Sequence, residues 1–148
     1  MERKNHIEVY LHLVWATKWR LPLIAPEIER RLHGCISAEA RRLRCEVLAV
    51  GGMPDHVHLA VSMPTVLSPA KLMQQVKGVA SRFASEHLVP QGELFVWQEG
   101  YGVFSFSRSH LDRVIRYIRN QKQHHTSGDM WPTWSEISDS LEEPDASR

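Results

Sequence analysis

Cys45-Glu46-Val47-Leu48-Ala49-Val50, then Gly51-Gly52-Met53-Pro54-Asp55, then His56-Val57-His58-Leu59-Ala60-Val61-Ser62-Met63 reads as a strand, a turn and a strand. Both runs are apolar and rich in valine, and the Gly-Gly and Pro-Asp pairs between them carry turn chemistry. So short a link predicts an antiparallel pair. Successive strand side chains point to opposite faces, so His56 and His58 share one face while Val57 and Leu59 take the other. Two imidazoles side by side make a ready pair of metal ligands. By spacing alone, such a pair is more often two ordinary half-exposed histidines, so the rest of the chain must decide. Asp55 either shapes the turn or accepts a hydrogen bond from a ligand imidazole.

Working outward, His6 to Thr17 is rich in β-branched and aromatic residues and predicts a first strand. Lys18-Trp19-Arg20-Leu21-Pro22 leaves it as a basic, aromatic loop. Pro26 opens a helix at a first-turn position, and Glu27 and Glu29 suit its positive end. Ile28, Leu32 and Ile36 recur at helical spacing and carry it to about Arg42. Past the opening stretch, Pro64 ends the strand and Ser68-Pro69 reads as an N-cap with proline behind it. Leu72, Val76, Val79, Ala80, Phe83 and Ala84 form an apolar stripe out to about His87. Pro90-Gln91-Gly92 breaks that helix, and Leu94–Trp97 and Val103–Phe106 are short strand-like runs. A last helix is expected over about 109–125. The order β-α-β-β-α-β predicts an α+β, ferredoxin-like fold: an antiparallel sheet with both helices on one face, plus the C-terminal helix. Residues 1–126 form the expected domain, and 127–148 an acidic, loosely ordered tail.

The 148 residues suit one domain with a real core. A net charge of +1 gives no general case for a nucleic-acid partner, but charge is uneven. Arg108, Arg113, Arg116, Arg119 and Lys122 face only Asp112 in their stretch, while the end of the chain is acidic. Cys35 and Cys45 are expected to be reduced thiols in a cytoplasmic protein, because no leader-like apolar segment and no run of membrane-spanning length is visible.

The last helix carries the other half of the chemistry. At about 100° per residue, Leu111, Val114, Ile115 and Ile118 fall on one stripe. Tyr117 and Gln121, four apart, sit together on its flank, and Arg116 and Arg119 face elsewhere, to solvent or a polyanion. If the face with His56 and His58 meets that flank, two imidazoles, an amide oxygen and a phenol converge. Such an N,N,O set suits a divalent ion such as Mg²⁺ or Mn²⁺, and the absence of thiolates argues against structural zinc. The ion would polarise a phosphodiester, and Tyr117 could attack phosphorus to give a covalent phosphotyrosine and a free 3′-hydroxyl. Otherwise Tyr117 is a boundary tyrosine with a wet hydroxyl.

Several linked motifs carry a resemblance. They are His12-Leu13-Val14-Trp15-Ala16-Thr17-Lys18 with Arg20, Pro54-Asp55-His56-Val57-His58-Leu59, Gln75-Val76-Lys77-Gly78 with Ser81-Arg82, Trp97-Gln98-Glu99-Gly100-Tyr101-Gly102, and Tyr117-Ile118-Arg119-Asn120-Gln121 followed by His124-His125. In this order, across residues 6–126, they resemble the single-tyrosine HUH transposases of small bacterial insertion sequences and the related REP-associated tyrosine transposases. The resemblance implies that His56, His58 and Gln121 are metal ligands and Tyr117 the nucleophile. It implies cleavage and rejoining of single-stranded DNA at hairpin-marked element ends, by a homodimer in which one subunit's tyrosine helix can serve the other's histidines. Lys18, Trp19, Arg20, Lys77, Arg82, Arg116 and Arg119 are candidates for phosphate contact and base stacking, on their chemistry. One departure is Ser127-Gly128-Asp129-Met130-Trp131-Pro132, which breaks the last helix where relatives often extend it. Two other classes of function remain: a DNA-hairpin-binding regulator without catalysis, and a ferredoxin-like hydrolase using a metal-bound water.

Overall fold

The computed structural model describes residues 5–123. Four strands, β1 (Tyr10–Ala16), β2 (Glu46–Met53), β3 (His56–Ser62) and β4 (Gly102–Phe106), form one sheet in the order β2-β3-β1-β4. Every neighbouring pair is antiparallel. With helices α1 (Pro26–Arg42) and α2 (Pro69–His87) between the strands, this is the expected ferredoxin-like arrangement. The nine-residue α3 (Leu111–Arg119) follows β4.

Alternation along the strands divides the molecule. Leu11, Leu13 and Trp15 of β1 and Val57, Leu59 and Val61 of β3 belong to one apolar cluster with Leu32 and Ile36 of α1 and Leu72, Met73 and Val76 of α2. Each such side chain, fully buried, stabilises the fold by about 1.5–3 kcal/mol. The opposite face is covered differently. There Ala49 of β2 and Ala60 of β3 form a second, smaller cluster with Val114, Tyr117 and Ile118 of α3. Small residues let the helix come close, and Gly51 lets it come closest. A Cβ at Gly51 would stand 2.2 Å from the carbonyl oxygen of Ile118. Helix α3 therefore packs on β2 and β3, on the side opposite α1 and α2.

α1 and α2 begin and end where proline, caps and periodicity place them, and the Ser68 hydroxyl accepts from the Lys71 amide at 3.0 Å. Three expectations shift. The first strand begins at Tyr10, not His6, because residues 5–9 are exposed and pair in no ladder. Leu94–Trp97 is not a strand: only one bridge, Thr17 to Trp97, joins it to the sheet. The cause is the end of β1. Beyond Ala16 the chain tightens into a 3-10 turn over Lys18–Arg20, with Trp19 and Arg20 at φ of 57° and 56°, so the ladder cannot continue. Phe95 and Trp97 still alternate inward, and Trp97 packs edge-on to Trp15 at 5.8 Å. Finally, a 3-10 turn over Arg108–His110 precedes α3, which therefore starts at Leu111 rather than 109; Asn120 interrupts the helix and residues 121–123 resume it. His124, His125, the boundary at 126 and the acidic tail lie outside the described residues.

Candidate active site

The register of the sheet assembles the site. Val14 of β1 stands opposite His58, and Gly51 of β2 stands opposite it on the other side. His12 is a diagonal neighbour of His58 on the same face, within reach of a long side chain. The His12 Nε2 and His58 Nδ1 atoms lie 2.8 Å apart and share a proton in one hydrogen bond. Both rings are almost wholly buried, and His56 lies edge-on to His58 with centroids 5.1 Å apart. Burial pushes the His12 imidazole down to about 4, so it is neutral near pH 7. A neutral His12 with its proton on Nδ1 presents Nε2 as an acceptor. In that tautomer His58 donates from Nδ1, and Nε2 is the nitrogen it would offer a metal.

His56 is oriented in a parallel way. Its Nδ1 lies 2.8 Å from Asp55 Oδ1. The other oxygen, Oδ2, accepts from Arg20 Nε at 3.2 Å and pairs with the second guanidinium nitrogen at 3.0 Å. Burial raises the Asp55 carboxyl, but His56 and Arg20 outweigh it and hold the group below its usual range. Asp55 both closes the turn, its carbonyl accepting from the Thr17 amide at 2.9 Å, and fixes an imidazole.

Helix α3 supplies the rest. Tyr117 is buried, edge-on to His58 with ring centroids 5.5 Å apart and to His12 at 6.4 Å. Its phenol is pushed above the ordinary value by burial, against an opposing hydrogen bond from Gln121. Gln121 is buried too. Its Oε1 stands 3.4 Å from His56 Nε2, and its Nε2 donates to the Tyr117 carbonyl at 3.2 Å. The four expected residues, His56, His58, Tyr117 and Gln121, are therefore in one place. No group of three or more His, Cys, Asp or Glu is gathered for a metal among the described residues. Two imidazoles with their outer nitrogens engaged, plus an amide oxygen, nevertheless form a donor set for a divalent cation.

The IS200-like transposase model matches residues 5–121, most of the chain. The chain belongs to that family. This transposase is 26% identical over 116 residues to the ISDra2 transposase TnpA of Deinococcus radiodurans, covering 74% of the chain and 81% of that protein. Its fold is similar to a putative transposase from Deinococcus radiodurans R1, with a TM-score of 0.65, 25% identity, and 82% and 96% of the two chains covered. It is also similar in fold to a REP-associated tyrosine transposase solved with a REP hairpin, at a TM-score of 0.61 and 15% identity, covering 89% of this chain and 79% of that one.

The candidate DNA contacts of the transposase do not gather in one place. Lys18, Trp19 and Arg20 follow β1 directly, and Arg20 connects through Asp55 to His56. Arg116 and Arg119 are exposed on α3. Lys77 and Arg82 lie on α2, across the sheet from the histidines, and Lys77 Nζ donates to the carbonyls of Gln98 and Gly100 at 2.9 and 3.0 Å. Its visible work is to hold that loop. His12 is the residue that motif reading left without a role. Its signal was a polar side chain at an inward position of an otherwise apolar strand.

Proposed function

We propose that this transposase cuts and rejoins single-stranded DNA at hairpin-marked element ends through a covalent 5′-phosphotyrosine on Tyr117. The observation that supports this most is the placement of Tyr117 and Gln121 against His58 and His56, from a helix some sixty residues away in sequence. His56, His58 and Gln121 would hold Mg²⁺ or Mn²⁺, which when bound supplies Lewis-acid polarisation of the scissile phosphate. The side chains do the rest. Asp55 and His12 fix the two imidazoles, and the packing of α3 holds the phenol in line with them. Tyr117 Oη forms the bond to phosphorus, the bond from phosphorus to O3′ breaks, and the phenol proton ends on the released 3′-hydroxyl. The phosphotyrosine keeps the energy of the broken bond, so a second 3′-hydroxyl can reverse the step without a nucleotide cofactor. Lys18, Trp19, Arg20, Arg116 and Arg119 are proposed DNA contacts, and Lys77 and Arg82 would reach only strands that pass over α2. The partner is hairpin-bearing DNA in the cytoplasm, and the working unit a homodimer.

The test is incubation with labelled single-stranded oligonucleotides from the flanks of its own locus, with Mg²⁺ or Mn²⁺. A protein–DNA adduct that survives denaturation and disappears in Tyr117→Phe is expected. Cutting that persists in Tyr117→Phe would replace this reading with a water-using hydrolase. Tight hairpin binding without cutting would replace it with a regulator.

A further inference from the structure

A cavity of about 310 Å³ adjoins Gln121 on the side away from the histidine pair's own strand. It opens between the first turns of α1, the end of β2 and the residues that follow α3. Its size falls at the small end of ligand pockets, which run to about 300–1,000 Å³. It is too small for a base pair and suits a single ring system. The lining is mixed in kind. Glu29 offers a carboxylate, Asn120 and Gln121 offer amides that both donate and accept, and His33 offers an imidazole.

His33 is the telling member. It is only 9% exposed, and its Nε2 has no hydrogen-bond partner among the described residues. Its Nδ1 lies 3.9 Å from Glu29 Oε1, beyond hydrogen-bond reach. Glu29 is held in place by Lys122, whose ammonium is 2.6 Å away and also donates to the Gly52 carbonyl at 3.2 Å. Arg119 and Lys122, both exposed, also line the cavity, and there they suit the DNA backbone that carries a base into it. Gln121 forms the wall shared with the candidate metal site, so an occupant lies within about one nucleotide of the phosphate being cut.

We propose that this cavity receives one unpaired nucleobase next to the cleaved phosphate and reads its exocyclic amino group through Glu29, with His33 and Asn120 on the ring edge. The proposal rests on the strand-transfer reading of the adjoining site and adds a source of sequence choice to it. Adenine, cytosine and guanine carry an amino donor for the carboxylate, and thymine does not. Thymine offers the carboxylate only its ring N3–H, flanked by two carbonyl oxygens that the carboxylate repels, so it is the base the cavity disfavours.

The test uses the full chain with Mn²⁺ and flank-derived single strands randomised at the nucleotides bordering the cut. Tyrosine-linked and released strands are sequenced for the wild type, Glu29→Gln and His33→Asn. At one bordering position the wild type should disfavour thymine by about tenfold or more, and both variants should flatten that position while choices elsewhere persist. Equal use of all four bases by the wild type, or a preference unmoved in both variants, overturns the proposal. A second measurement is independent of cutting. In Tyr117→Phe protein, the His33 imidazole nitrogen resonances should move when an oligonucleotide with its flank binds, and not with the bare hairpin. No movement overturns the pocket. If the wild type forms no adduct, the strand-transfer reading fails and the imidazole resonances alone decide the pocket.

Discussion

Gly51→Ala places a methyl group where there is room for none. Its Cβ would lie 2.2 Å from the Ile118 carbonyl oxygen, 3.1 Å from the carbonyl carbon and 3.2 Å from Cγ2. Ordinary contact begins at 3.4 Å, and the nearest obstacle is helix backbone rather than a pliable side-chain tip. α3 must therefore retreat by roughly 1 Å, and Tyr117 and Gln121, one residue before and three after Ile118, retreat with it. A 1 Å misplacement of reacting groups costs about 100-fold in rate, and overpacking costs about 1–3 kcal/mol in stability. The melting temperature should fall by roughly 5–10 °C. Adduct formation, followed on denaturing gels, should slow about 100-fold, while hairpin affinity by fluorescence anisotropy changes little. Gly34→Ala is the control. It sits inside α1, where a Cβ meets nothing within 4 Å, so it should add about 0.5–1 kcal/mol and leave the adduct rate alone. A wild-type adduct rate in Gly51→Ala would refute the reasoning. It would mean that this seat does not position the phenol, as when Tyr117 serves the histidines of another subunit.

Further expectations follow from the same geometry. His12→Ala removes the ring that fixes His58 and should weaken divalent-metal binding by about 10–100-fold in calorimetry, and the cavity left beside His58 and Tyr117 should lower the melting temperature as well. Trp19 is 74% exposed beside Lys18, so Trp19→Ala should weaken single-strand binding by about 1–3 kcal/mol, with loss of the fluorescence quenching that stacking causes. An unchanged affinity would remove Trp19 from the DNA surface. Burial pushes the Cys45 thiol up to about 11, and Cys45 is more buried than Cys35, so mapped alkylation near pH 8 should label Cys35 well before Cys45. Equal labelling would contradict the packing of the first residues around β2.

The elements built on local signals were legible in the sequence. Proline and caps marked α1 and α2, and the period-two pattern around Val57 and Leu59 separated the core face from the histidine face. The pairing of Tyr117 with Gln121 was also legible, as four-residue helical spacing. What local pattern could not supply was the effect of one segment's ending on another's. Leu94–Trp97 has strand-like alternation, but the left-handed turn at Trp19 and Arg20 removes its partner. Nothing local to Lys77, a candidate phosphate contact, announces its two carbonyl partners, Gln98 and Gly100, more than twenty residues away. His12 gains its role from strand register, which no run of β1 residues contains by itself. The same holds for Gly51, whose importance lies in a carbonyl on α3.

Among the described residues the two apolar clusters are unequal, with nineteen buried side chains in the one on the α1/α2 side of the sheet and five in the one that α3 shares with β2 and β3. A nine-residue helix is marginal by itself, so leaving the sheet and unwinding are one event for α3. That event opens a small region and leaves the main core intact, which gives it a lower free energy than global unfolding. Amide protons of α3 should then exchange with solvent through this local opening, while those of β1 and β3 wait for the whole domain. Tyr117, the proposed nucleophile, thus rides on a part of the molecule that opens more easily than the main core, and exchange along α3 reports its docking with no DNA present.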